Sequence, residues 1–423
     1  MNAVTPALKT TRAQSIRTPS GIEIWHVEDY TVPVLSVEFA FLGGAAQDPA
    51  GKCGLANLLA SLMDEGAGAL VSQDFQEALE EKAIELSFDA GRDRLDGSLR
   101  TLADNAERAF ELMALALQMP RFDADAIDRV RAQIISGLKR DESDPGSRAR
   151  DRLNALAYPG HSYGRAADGV IAELTSITRE DVVAQHAKLF ARENLRIVAV
   201  GAVSPEMLAR LVEQAFGPLP KAPTLVPITP ITMQNGGTRE IIDLDIPQST
   251  LYLALPGIAR KDPMHMSAMV LNHILGGGSF TSRLWTEVRE KRGLAYSVWS
   301  ALAGRAQSAL YFAGTATSNE RVAESLEVIL HEITQIARDG ATAEELDKAK
   351  RYLMGSYALR FDTSRKIANQ LLELAIEELG IDYIDRRNAE VAAVTLDSMR
   401  AAGTRLFGDA KPLIVVAGRP QGL

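Results

Sequence analysis

Apolar residues follow two periods along this chain. Leu55, Leu58, Leu59, Leu62 and Met63 recur at i, i+3, i+4, i+7 and i+8, the spacing of one buried helix face. Just before them, SVEFAFLGG (36–44) is a short apolar run of strand type, and TLYLALPGI (250–258) is another. AYSVWSAL (295–302) and SALYFAGT (308–315) are two β-rich runs around the turn AGRAQ, which predicts a hairpin. A long helical stretch covers about residues 102 to 190. Each half therefore reads as strands, a helix, strands, a run of helices and a closing strand. Strands grouped apart from helices predict an α+β layer architecture.

The same order occurs twice. Val32-Pro33 is matched by Ile246-Pro247, and Asp48-Pro49 by Asp262-Pro263, both at an offset of 214 residues. Leu189-Phe190 leads to RIVAVG and Leu406-Phe407 to LIVVAG, both at an offset of 217. Loop insertions account for the drift, since lengthening a loop costs little. Residues 217–235 hold five prolines, which lack a backbone donor and fix φ. The expected organisation is a domain over 1–216, an extended linker over 217–235 and a domain over 236–423, two homologous sheet-plus-helix units from an internal duplication.

Composition narrows the function classes. The 423 residues are 46% hydrophobic and 24% charged, an ordinary globular balance. The net charge of −9 is spread along the chain and argues against a nucleic-acid footprint. An acidic chain suits basic peptides, but most acidic proteins have no such role. No apolar run approaches the roughly 18 residues of a membrane span. The first 25 residues hold no apolar core of signal-peptide type, so the chain as written reads as cytoplasmic, or periplasmic if a leader was removed ahead of residue 1. Cys53 is the single cysteine, which excludes an intrachain disulfide.

The richest stretch is GGGSFTSRLWTEVREKRGLAYSVW (276–299). Gly276, Gly277 and Gly278 lead into a helix, and Arg289 and Tyr296 lie seven residues apart with Gly293 between them. The three glycines are not followed by the Gly-Lys-Ser/Thr of a phosphate loop. Taken singly, Arg289 reads as an ion pair with Glu287 or Glu290, and Tyr296 as a strand aromatic. Together, SRLWTEVREKRGLAYSV (282–298) resembles the arginine–tyrosine signature of the pitrilysin/insulinase family of zinc peptidases, which includes the mitochondrial processing peptidase. The resemblance runs along nearly the whole chain. It implies two sheet-plus-helix domains, in the family facing another such pair as a clamshell, with Ser36 to Phe41 as an edge strand to which an extended peptide adds. It also implies that Arg289 holds the substrate main chain through its fork and that Tyr296 donates to the scissile carbonyl as it becomes tetrahedral. Gly276, Gly277 and Gly278 are expected either as a substrate-binding mouth loop or as a helix cap and turn.

The family's zinc helix carries HxxEH, two His on one face with Glu as base. At those positions this chain has Asn57, Ala60 and Ser61, and alignment puts Gly137 at the third-ligand position. None of these is a competent zinc ligand set. Among the six histidines none forms an HxxxH pair; His265 and His273 lie eight apart, and no Cys or suitably spaced carboxylate completes a site around them.

The sequence thus implies a non-zinc-binding subunit of a heterodimeric zinc metallopeptidase, inactive alone and acting on unstructured peptides. The cofactor, zinc, is expected in a homologous HxxEH-bearing partner, with no metal held by this chain. The alternative is an inert scaffold or peptide-binding subunit, as the core proteins of respiratory complex III exemplify; the intact Arg289–Tyr296 block argues against it. An independent peptidase with another metal site is a third reading.

Overall fold

The computed structural model describes residues 13–423. Six strands form the first sheet: β1 (Gln14–Arg17), β2 (Glu23–Glu28), β3 (Val34–Leu42), β4 (Glu85–Ala90), β5 (Arg94–Leu102) and β6 (Leu195–Gly201). Five form the second: β7 (Arg239–Ile242), β8 (Gln248–Pro256), β9 (Ser297–Arg305), β10 (Ser308–Ser318) and β11 (Leu413–Ala417). The first sheet runs β1-β2-β6-β3-β5-β4 and the second, from the opposite end, β7-β11-β8-β10-β9. Omitting β1, the two have the same order and the same sense. One parallel pair (β2 with β6, β7 with β11) is followed by antiparallel pairs throughout.

β3 is therefore an interior strand, hydrogen-bonded to β6 and β5. The sequence-based expectation of an edge at Ser36–Phe41 is corrected: the edges of that sheet are β1 and β4. The strand is buried on both faces. Leu35, Val37, Phe39 and Phe41 enter the first core, while Ser36, Glu38 and Ala40 are buried on the other face.

Helix α1 (Leu55–Leu62) follows β3, and its apolar stripe of Leu55, Leu58, Leu59 and Leu62, extended by Met63, packs into that core as the periodicity predicts. The carboxylate of buried Asp48 accepts from the backbone N–H groups of Gly54 and Ala56 at 3.0 Å, satisfying two donors at the helix start. In the second core Leu251, Leu253 and Leu255 of β8 meet Leu326, Ile329 and Ile333 of the helix Val322–Asp339.

Two helices lie in the unit built around the other half's sheet. α2 (Pro145–Ala157) packs on β8 and β11, and α3 (Ser364–Ile376) on β3 and β6. One compact unit holds residues 13–138 together with Ala166–Pro227 and Ser356–Tyr383; the other holds Lys139–Arg165, Ile228–Gly355 and Ile384–Leu423. The spatial units thus cut across a division at residues 217–235 in two places, because periodicity marks a helix's apolar face without naming the sheet it covers. α3 is fixed by a bidentate pair from Arg94 to Glu373 and by Arg365, 3.6 Å from Glu38. α2 is fixed by Arg152 on Glu240 at 2.5 Å. Arg305 on Asn154 at 2.6 Å also holds the helix, and the Tyr158–Ser308 hydroxyl pair at 2.9 Å fixes the turn after it. Residues 217–235 contain no helix or strand.

Candidate active site

The helical segment before β9 is wider than an α-helix. Trp285–Glu290 forms a π-helix in which the Lys291 N–H donates to the Thr286 carbonyl at 2.9 Å, five residues back. Such turns are rare and concentrate at functional positions. A sharp reversal follows. Gly293 sits at φ +61°, where a Cβ would meet no neighbour, so the backbone conformation alone calls for glycine. The Leu294 N–H donates to the Val288 carbonyl at 2.8 Å, and Arg321 Nη1 donates to the Gly293 carbonyl at 2.7 Å. Leu294 and Ala295 are buried in the second core or at its margin. The reversal returns Tyr296 to the side of Arg289 at the start of edge strand β9.

There the Arg289 guanidinium carbon lies 4.1 Å from the Trp285 ring centroid and 4.5 Å from that of Tyr296. Tyr296 is 80% exposed, and Phe280, 69% exposed, meets Trp285 edge-on at 4.6 Å. No side-chain hydrogen bond or ion pair engages Arg289 among the described residues. Glu287, the carboxylate two residues back, is taken by Lys291 and Arg292, each at 2.6 Å. Those two cations hold the Glu287 carboxyl below its usual range. Stacking thus occupies the faces of the Arg289 guanidinium and leaves its N–H edges available. Neither bland expectation describes the pair: Arg289 is not in an ion pair with Glu287, and Tyr296 is not packed on the sheet. Trp285 and Phe280 were missed in the sequence, although an indole four residues before an arginine in a helix was a usable signal.

Gly276 and Gly277 lie within a second π-helical turn, His273–Gly277, and Gly278 ends it. A Cβ at Gly276 would stand 2.4 Å from Ser300 Oγ, so this glycine is required by close packing of the turn on β9. His273 at the head of the turn stacks on Tyr352 at 5.1 Å, and burial lowers its pKa. Burial likewise lowers His265, eight residues earlier.

The four positions of the absent metal site lie on helices of the first unit. Asn57 donates its amide to the Asp168 carbonyl at 2.9 Å, Ala60 is 2% exposed within the core, and Ser61 is half-buried. Gly137 lies in the helix Ala124–Asp141. An engaged amide, a methyl, a hydroxyl and a hydrogen supply no zinc donor set. Among the described residues no group of three His, Cys, Asp or Glu is placed to hold a metal ion. No helix among them is long and apolar enough to cross a membrane.

Two family models match the chain: "Insulinase (Peptidase family M16)" over residues 26–168 and "Peptidase M16 inactive domain" over 176–353. An uncharacterized zinc protease of Streptomyces coelicolor is 27% identical over 411 residues, 94% of this chain and 88% of that protein. A non-peptidase homolog of Helicobacter pylori is 27% identical over 345 residues, 81% of this chain and 79% of that protein. A probable mitochondrial-processing peptidase subunit beta of Arabidopsis thaliana is 22% identical, covering 84% of this chain and 68% of that protein. A crystal structure of a peptidase M16 inactive domain from Pseudomonas fluorescens superposes with a TM-score of 0.91 at 29% identity, covering 97% of this chain and 98% of that one. The two models cover strands of both sheets and the Arg289–Tyr296 block, and the chain belongs to the insulinase (M16) family of peptidases.

Proposed function

We propose that this chain is the non-zinc-binding subunit of a two-chain zinc metallopeptidase that cleaves unstructured peptides. The observation that carries the reading is the Arg289–Tyr296 pair: an arginine held by two rings without a carboxylate, beside an exposed phenol. In this reading Arg289 binds a substrate main-chain carbonyl through its free N–H edges. Tyr296 donates its hydroxyl to the oxyanion as the scissile carbonyl becomes tetrahedral. A homologous chain bearing HxxEH supplies zinc, base and water, the metal acting as Lewis acid and source of hydroxide. The matched order and sense of the two sheets support an origin in tandem duplication.

A second reading is a peptide-binding or scaffold subunit without a catalytic role. It is favoured by the descriptions of the C-terminal family model and of the Helicobacter relative, "inactive domain" and "non-peptidase homolog". The test is zinc content and cleavage of a quenched unstructured peptide, first for this chain alone and then mixed with an HxxEH homologue from the same organism. Zinc-dependent cleavage only in the mixture is the expected result. Stoichiometric zinc with cleavage by the lone chain would overturn it, and no cleavage in either sample would leave the scaffold reading.

A further inference from the structure

The first unit holds a cavity of about 620 Å³, far in sequence from the Arg289 block. Its wall is built from the β1–β2 hairpin, the start of β6, Lys221 in the strap after the helix Pro205–Phe216, and the turn that ends α3. The volume is that of a small-molecule site.

Three of its basic groups, Arg17, Arg192 and Lys221, are loosely engaged. Arg17 makes no side-chain hydrogen bond or ion pair among the described residues. Arg192 keeps Nε buried without a partner, and its Nη1 reaches only the Ser20 carbonyl at 3.4 Å. Lys221 stands 4.0 Å from Glu193; Arg196 stands 3.7 Å from Glu378 and donates Nη1 to the Leu195 carbonyl at 3.0 Å. Arg94, Arg121 and Arg129 of the same unit instead each hold a carboxylate at 2.5–2.9 Å; Arg131 pairs with Asp128 at 2.7 Å yet, like Arg192, leaves its Nε buried without a partner. A buried guanidinium nitrogen left unpaired costs free energy that a ligand acceptor would restore. The carboxylates of the wall do not fill that role: Glu23 accepts from Ser15 at 2.6 Å, and Glu193 and Glu378 are the distant partners already named. Trp25, half-buried in the wall, faces no other aromatic ring among the described residues.

We infer that this cavity binds a small, multiply charged phosphate anion carrying a flat ring, the chemistry of a nucleoside di- or triphosphate. Guanidinium forks match phosphate oxygens, Lys221 adds a point charge, and the Trp25 indole offers a face to the ring. The site lies wholly in one unit and is independent of the Arg289–Tyr296 reading.

The test is calorimetric titration of the full chain with ATP and, separately, with inorganic triphosphate, alongside Trp25 fluorescence in a Trp285→Phe, Trp299→Phe background. Saturable ATP binding with quenching of Trp25 is expected, with triphosphate binding more weakly because it lacks the ring. Arg17→Ala and Lys221→Ala, both changes at exposed side chains, should each weaken ATP binding by about tenfold, the loss expected for a charge-assisted contact. Absence of saturable heat at millimolar ATP would overturn the inference. So would unchanged affinity in both variants, or triphosphate binding as tightly as ATP.

Discussion

Arg289 lies with its guanidinium carbon 4.5 Å from the Tyr296 ring centroid, so the two groups assigned to substrate are also each other's support. This coupling separates two kinds of substitution. Tyr296→Phe keeps the ring that Arg289 stacks on and removes only the hydroxyl. Arg289→Ala removes the fork and leaves Tyr296 without its cation. In the mixed-chain assay each should lower kcat by one or more orders of magnitude, as for loss of an oxyanion donor contributing about 2.7–4 kcal/mol. Unchanged kcat in both would defeat the catalytic assignment.

Ala60, where the resemblance implies the family's general base, is 2% exposed inside the first core. Restoring a glutamate there is thus a packing problem as well as a chemical one. Ala60→Glu should destabilise the chain by at least about 1–3 kcal/mol, the usual cost of overpacking a filled core, before any burial of charge is counted. Chemical denaturation checks this; a midpoint unchanged from wild type would mean that the helix can turn that face outward.

The α1 stripe, the closing strands and the Arg289–Tyr296 block were legible because each is local: a period of 3.6, a short apolar run, a fixed spacing. What escaped the sequence depends on partners distant along the chain. Leu371 and Leu372 show that α3 has an apolar face, but nothing in their spacing says that β3 and β6 lie beneath it. The edge expected at Ser36–Phe41 came from the family resemblance, and one strand's own residues, which do not reveal how many neighbours it has, could not correct it. The π-helix at Trp285 was invisible for a different reason. It widens the turn over six residues and leaves the apolar pattern of Trp285 and Val288 compatible with an α-helix.

Two buried groups set the pH range of stability from opposite sides. Glu38, on the face of β3 covered by α3, has its pKa pushed up to about 7 from 4.5 by burial; the Ser98 hydroxyl at 3.0 Å and Arg365 oppose the shift, and Asp96 adds to it. The raised folded-state value favours the protonated fold, so this contribution is lost as pH rises through about 7. The full shift corresponds to about 3 kcal/mol. His186 is stacked on Phe190 at 4.5 Å, and burial lowers its pKa to about 4 from 6.5. Its contribution is present above 6.5 and lost as pH falls toward 4. Glu38→Gln should therefore flatten the loss of stability between pH 4.5 and 7, and His186→Gln should flatten the acid limb below 6.5. Denaturation midpoints across pH check both; parallel profiles for wild type and variants would refute the assignments.

The exchange of α2 and α3 makes the strongest claim about folding. A cut after Pro227 yields an N-terminal fragment carrying the first sheet without α3, and a C-terminal fragment carrying the second sheet without α2. Each fragment would expose a sheet face that the intact chain covers. In the first, Glu38 would lose Arg365, and Arg94 would lose its bidentate partner Glu373. In the second, Glu240 would lose Arg152, and Arg305 would lose Asn154. Neither fragment should fold cooperatively alone. Mixed, they should form a 1:1 complex with a single unfolding transition, because each brings the helix the other lacks. Size-exclusion chromatography with calorimetry distinguishes the outcomes. Two fragments that unfold cooperatively and independently would show that the exchanged helices are dispensable to the units they cover.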